Sequence, residues 1–232
     1  MANLKYASSL ELIDTSGETR MPSRFRLRKI FAPVVKGIAT PLARWGITPN
    51  GATWLMLICA TLSATILIST RNLLVFGIFI FITGLMDGVD GAIARLTNRQ
   101  SKFGGFFDST MDRVSEGIIY TALLIVEAEV LVFTNIINIL LIGLSLIFSF
   151  LISYTRARLD LSLLGEQKVD SNIGLLGRSE RLFFLFILSV ISYFSTIFVF
   201  SWGFVLYTFS VMGTALFRII CYKDYLTRAE VE

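Results

Sequence analysis

An all-α integral membrane protein with six transmembrane helices and both termini in the cytoplasm is the fold class this sequence predicts, and three observations predict it. The 232 residues are 54% hydrophobic and 16% charged, with a mean hydropathy of +0.71, whereas soluble domains carry about 25% charged residues. Six stretches approach or reach the ~20 apolar residues a span requires: 52–70, 73–94, 106–130, 133–155, 181–200 and 203–222. The basic residues, finally, fall on alternate connections. Lys5, Arg20, Arg24, Arg26, Arg28, Lys29, Lys36 and Arg44 precede the first stretch, and Arg95, Arg99 and Lys102 separate the second from the third. Arg156, Arg158, Lys168, Arg178 and Arg181 surround the fourth connection, and Arg218, Lys223 and Arg228 close the sixth stretch. The other connections hold only Arg71, Glu127 and Glu129, so the positive-inside rule orients the chain.

Residues 1–45 are expected to form a cytoplasmic N-terminal segment and 46–232 a single membrane domain. Within the former, RFRLRKIFAPVVKGIATPLARW mixes basic and apolar positions. That pattern suits an amphipathic juxtamembrane helix on an anionic lipid surface, or simply a topogenic charge cluster. Nothing there resembles a cleaved signal peptide, so the first span is expected to direct insertion itself. Pro49-Asn50 marks that span's helix start. The second and third spans join through the polar turn LTNRQSK, and the fourth and fifth through an insert containing LGEQKVDSN. Cys59 and Cys221 lie in apolar surroundings, with neither a disulfide framework nor a zinc spacing, and read as packing residues. With no histidine in the chain, imidazole triads and His-Glu-x-x-His zinc sites are excluded, and a carboxylate is the simplest general base. The net charge of +4 and pI near 9.2 follow from membrane topology and call for no nucleic-acid partner.

Four aspartates sit where a span should carry leucine. Residues three or four apart share a helix face, so Asp87, Asp90, Gly91 and Ala94 form one stripe and Gly104, Asp108 and Asp112 another. Counted from Arg99, Asp90 and Asp108 are each nine residues away and Asp87 and Asp112 twelve and thirteen, so an antiparallel pair would level them in two tiers. Each unpaired carboxylate would cost about 2.5–3.5 kcal/mol at mid-bilayer and less toward the interface. Two divalent cations would neutralise all four, and oxygen-only ligands favour Mg²⁺ or Mn²⁺ over zinc. Metals about 3.5–4 Å apart are the arrangement that stabilises attacking and leaving oxygens in phosphoryl displacement. The small residues beside them either leave room for a substrate or pack helices closely.

Asp87-x-x-Asp90-Gly91-x-x-Ala94-Arg95, eight residues, then Gly104-x-x-x-Asp108-x-x-x-Asp112 resembles, at every fixed position, the signature of the CDP-alcohol phosphotransferases. The resemblance implies a CDP-lipid donor bound with two divalent metals at a cytoplasm-facing pocket of the cell membrane. An acceptor hydroxyl attacks the lipid-bearing phosphorus and CMP leaves. It implies metal ligation by Asp87, Asp90, Asp108 and Asp112, with Asp112 also the general base. It implies CDP contacts from those first three aspartates and from Gly91, Ala94, Arg95 and Gly104. ITPNGAT is similar to the family as well, adding Asn50 and Thr53 as CDP contacts. A homodimer is expected on the same ground.

The acceptor is read from later residues. A phosphorylated alcohol needs cationic forks, which arginine supplies bidentately, though positive-inside arginines also snorkel at helix ends. Ser153-Tyr154-x-Arg156-Ala157-Arg158 and Gly177-Arg178-Ser179-Glu180-Arg181-Leu182 look like the corresponding stretches of phosphatidylinositol phosphate and archaetidylinositol phosphate synthases. That likeness implies inositol 1-phosphate, with Arg156, Arg158, Arg178 and Arg181 on its phosphate. It departs at Ser179, where the family often has proline, and in the polar insert. Arg113 and Glu116 are further acceptor candidates. The rival within the family is a phosphatidylglycerophosphate synthase using glycerol 3-phosphate. A cation channel or transporter is the rival of another class, and an inactive family member the third. The apolar spans do not distinguish acyl from isoprenoid ether lipid.

Overall fold

The computed structural model describes residues 27–162 and 176–229. Eight helices follow one another among them: α1 (Leu27–Arg44), α2 (Pro49–Thr70), α3 (Leu73–Leu96), α4 (Lys102–Ile125), the single turn α5 (Glu127–Val130), α6 (Asn135–Ser162), α7 (Arg178–Phe194) and α8 (Ile197–Ala229). Residues 1–26 and the insert LGEQKVDSN lie outside the described residues.

Local chemistry sets the boundaries nearest the aspartates. Thr48 Oγ1 accepts from the Gly51 N–H at 3.1 Å and Pro49 occupies the first turn, the usual start of a helix. The α3–α4 connection turns at Asn98, whose φ of +53° is a left-handed value that asparagine tolerates. Ser101 then caps α4, its Oγ accepting from the Gly104 N–H at 2.9 Å.

Packing departs from a simple hairpin. α2 packs along both α3 and α4, whereas α3 and α4 scarcely touch; α3 instead packs on α7, and α6 on α8. The carboxylate stripes of α3 and α4 therefore face each other across a gap, not a seam. α7 closes on α3 at Gly77, where a Cβ would stand 2.8 Å from Ser189 Cβ and 3.3 Å from the Phe186 carbonyl. One continuous core, including Phe76, Ile80, Tyr120, Leu123, Phe200, Phe204 and Tyr207, joins α2, α3, α4, α6, α7 and α8. A smaller cluster seats α1 through Ala39 against Ala52, Val89 and Ile93.

Among the described residues, α2, α3, α6 and the Ile197–Asp224 stretch of α8 are long and apolar enough to cross a membrane. Their outer faces stay apolar, as Ile136, Ile139, Leu140 and Ile147 on α6 and Trp202, Leu206 and Phe209 on α8 show. The chain is a multi-pass membrane protein. α4 falls short because it carries Asp108, Asp112, Arg113 and Glu116, and α7 because it has 17 residues. Three expected boundaries move. The third stretch divides into α4 and α5, and the fourth continues as helix to Ser162. The break between the last two stretches falls at Ser195–Thr196, not near Gly203. An unbroken apolar run hid it, and Gly203 serves close packing, since a Cβ there would lie 2.2 Å from Leu188 Cδ1.

Candidate active site

Asp87 and Asp90 project from the last three turns of α3 and Asp108 and Asp112 from the first three of α4. One carboxylate oxygen each of Asp87, Asp108 and Asp112 lies within 4.8 Å of the others. Asp90 stands beside Asp108, fixed by Thr53 Oγ1, which donates to its Oδ2 at 2.8 Å. The Gly91 N–H donates to Asp90 Oδ1 at 2.6 Å. Thr53 is itself 2% exposed.

An arginine from a third helix enters this group. Arg178, the first residue of α7, bonds Asp87, lies 2.6 Å from Asp112 Oδ1 and donates to Ser115 Oγ at 2.7 Å. Behind it is a second layer of charge. Glu116 is 2% exposed and accepts from Arg181 Nε at 3.0 Å and Nη2 at 2.6 Å, and from Arg113 Nη1 at 3.2 Å. Arg113 also bonds Ser153 on α6 and approaches Asp112 Oδ2 at 3.6 Å. Arg181 completes its set on the Leu176 carbonyl at 3.3 Å.

The donor set fits a hard cation. Three carboxylates converge, no nitrogen or sulfur ligand competes among them, and a cationic guanidinium already rests on two of the three. Four aspartates against one inserted arginine leave negative charge still to be balanced.

Other expected site residues are spread around this centre. Asn50 and Gly104 are neighbours across α2 and α4, a Cβ on Gly104 falling 3.6 Å from Asn50 Oδ1. Gly91 and Ala94 are half-buried on the carboxylate side of α3. Arg95 leaves that side: with Lys36, Val35, Gly88 and Ala92 it lines a groove between α1 and α3. Arg156 and Arg158 are exposed, on the turn of α6 following Ser153. Arg181 and Glu116, expected to touch an acceptor, lie buried against each other, the guanidinium 1% and the carboxylate 2% exposed. Ser115 and Met56, which touch Arg178, stand outside every sequence motif, and Ser153, which touches Arg113, opens a motif that gives it no role. Extending the Asp108–Asp112 stripe by one turn finds Ser115, but nothing in the sequence pairs Ser153 with Arg113.

An apolar groove reaches this centre between α1, α3 and α7. Leu27, Phe31, Phe81, Leu85, Leu182 and Phe183 line it, and Asp87 stands at its polar end.

The CDP-alcohol phosphatidyltransferase family model matches residues 46–217. An archaetidylinositol phosphate synthase of Pyrococcus horikoshii is 36% identical over 153 residues, 66% of this chain and 74% of that protein. A phosphatidylinositol phosphate synthase of Mycobacteroides abscessus is 32% identical over 155 residues, 67% of each chain. The crystal structure of Mycobacterium tuberculosis phosphatidylinositol phosphate synthase with CDP-DAG bound superposes with a TM-score of 0.67 at 26% identity, covering 82% of this chain and 94% of that one. The same enzyme in complex with manganese and citrate gives a TM-score of 0.67 at 27% identity, over 81% and 88%.

Proposed function

This chain belongs to the CDP-alcohol phosphatidyltransferase family and is a phosphotransferase enzyme, and from that premise we propose that it moves a lipid-linked phosphoryl group from a CDP-lipid to inositol 1-phosphate, releasing CMP. The observation that carries the reading is the convergence of Asp87, Asp108 and Asp112 within 4.8 Å beside Arg178. It assembles, at one point, ligands for cations and a fork for phosphate. The similarity to synthases of phosphatidylinositol phosphate and archaetidylinositol phosphate supports the acceptor.

Asp87, Asp90, Asp108 and Asp112 would hold two Mg²⁺ or Mn²⁺ ions. When bound, the metal supplies charge neutralisation of the diphosphate and polarisation of its phosphoryl oxygens. The chain's own residues do the rest. Thr53 holds Asp90 in place, and Asn50, Gly91, Ala94 and Gly104 border the space for the cytidine diphosphate. Arg95 is assigned to the diphosphate by the family signature alone, since its side chain lines the groove between α1 and α3. The groove lined by Phe31, Phe81, Leu182 and Phe183 seats a lipid chain. Arg113, Arg156, Arg158 and Arg178 receive the acceptor's phosphate, with Arg181 bracing them through Glu116. The acceptor hydroxyl attacks the lipid-bearing phosphorus, the bond to the CMP oxygen breaks, and Asp112 takes the hydroxyl proton. Proximity lowers the demand on so weak a base.

The topology that goes with this reading has six spans, α2, α3, α4 with α5, α6, α7 and α8. Both termini and the site are in the cytoplasm, α1 lies in the membrane interface, the enzyme resides in the cell membrane, and two copies pair. Short α4 and α7 ends that carry charge suit a site at the bilayer edge. The test is turnover by the purified protein with CDP-diacylglycerol or CDP-archaeol and either radiolabelled inositol 1-phosphate or glycerol 3-phosphate, measuring labelled lipid and CMP. Label in lipid from inositol 1-phosphate alone is expected. Label from glycerol 3-phosphate alone would move the assignment to the glycerophosphate branch, and no CMP with either would end it.

A further inference from the structure

Arg178 is placed inside the carboxylate group, not at its rim. Its side chain is 8% exposed and bonds Asp87, and its Nη1 lies 2.6 Å from Asp112 Oδ1. Its Nη2 donates to Ser115 Oγ at 2.7 Å and rests 3.5 Å from Met56 Sδ. Two of the three carboxylates that converge within 4.8 Å are thus already paired with a cation belonging to the chain. A divalent ion on those carboxylates and this guanidinium compete for the same two charges, and two cations in contact repel in a site of low dielectric. The backbone permits exchange. Arg178 is the first residue of α7, while Arg181, one turn on, is locked to Glu116, so the helix stays anchored as the side chain at its tip swings.

Resting on the function proposed above, we propose that Arg178 is an internal counter-ion that changes places with the divalent metal. Without metal it neutralises Asp87 and Asp112; on metal entry it is released, and the freed guanidinium is then available to the acceptor's phosphate. Metal entry therefore precedes productive acceptor binding. Linkage makes the effect reciprocal: an acceptor that holds the released arginine strengthens metal binding. A residue that merely braced α7 against α3 would behave in the opposite way, because its loss would loosen the aspartates and weaken metal binding.

Mn²⁺ binding to the purified full-length chain in detergent, followed by the electron paramagnetic resonance of free Mn²⁺ without donor, separates these cases. Arg178→Gln is expected to bind Mn²⁺ about tenfold more tightly than the wild type, a coupling of ordinary size, and Arg178→Lys to stay near the wild type. Inositol 1-phosphate should tighten Mn²⁺ on the wild type severalfold, after subtraction of a protein-free blank, and leave Arg178→Gln unchanged. The wild-type arm needs no variant to fold. Equal or weaker Mn²⁺ binding by Arg178→Gln, or no effect of inositol 1-phosphate on the wild type, overturns the exchange and leaves the enzymatic reading intact. Absence of Mn²⁺ binding by the wild type, or binding undiminished in Asp108→Asn, removes the metal site and both proposals with it.

Discussion

Replacing Glu116 by glutamine tests the charge layer on which the site rests. The carboxylate and its partner Arg181 are 2% and 1% exposed, so neither finds water when the other is lost. Glutamine keeps the shape and one accepting oxygen but leaves Arg181 a buried, uncompensated cation and removes the 3.2 Å ion pair to Arg113. Breaking a buried pair by removing one partner costs about 3–5 kcal/mol. For a chain of this size each kcal/mol lowers the melting midpoint by about 2–4 °C, so a drop of about 6–12 °C is expected, the lower part of the range because glutamine still accepts one bond. Tryptophan fluorescence during heating in detergent reads it, since the chain has three tryptophans. The double variant Glu116→Leu, Arg181→Met removes both charges and should recover most of the loss, because apolar replacement of a buried pair is often neutral. A midpoint for Glu116→Gln within about 2 °C of the wild type, or a double variant as unstable as the sum of its singles, would refute the reasoning.

The reaction chemistry yields three more expectations. Asp112→Asn should reduce CMP release by at least about 100-fold while CDP-lipid still binds; retention of normal turnover would remove Asp112 as the base. Thr53→Val deletes the 2.8 Å bond to Asp90, and a bond to a charged group is worth about 1.5–3 kcal/mol, so the KM for CDP-lipid should rise about tenfold or more, with an unchanged KM counting against the role. Arg156→Gln should raise the KM for inositol 1-phosphate well above any change in the KM for CDP-lipid, and parallel shifts of both would show that Arg156 lies outside the acceptor pocket.

The stripe of aspartates was legible from spacing alone. A helix brings residues 87 and 90, and 104, 108 and 112, to one face whatever surrounds them, and carboxylates in an apolar run need cations wherever the run ends up. Composition likewise determined that the chain is helical and membrane-bound. The caps at Thr48 and Ser101 were also local matters, decided by side chains within three residues of the N–H groups they satisfy.

What spacing could not decide is which helix stands next to which. A hairpin reading seats α3 on α4, but α2 fills that place and holds the two apart, and Asp87, Asp108 and Asp112 meet across the separation so made. Arginine identity was similarly mute: Arg178 and Arg181 are three residues apart on one helix, yet one enters the aspartates and the other is bound to Glu116. Their acidic partners lie 65–91 positions away in the chain, Glu116 from Arg181 and Asp112 and Asp87 from Arg178. Periodicity ranks residues along one helix, whereas the field at a side chain is a sum over every helix around it. Only packing supplies that sum.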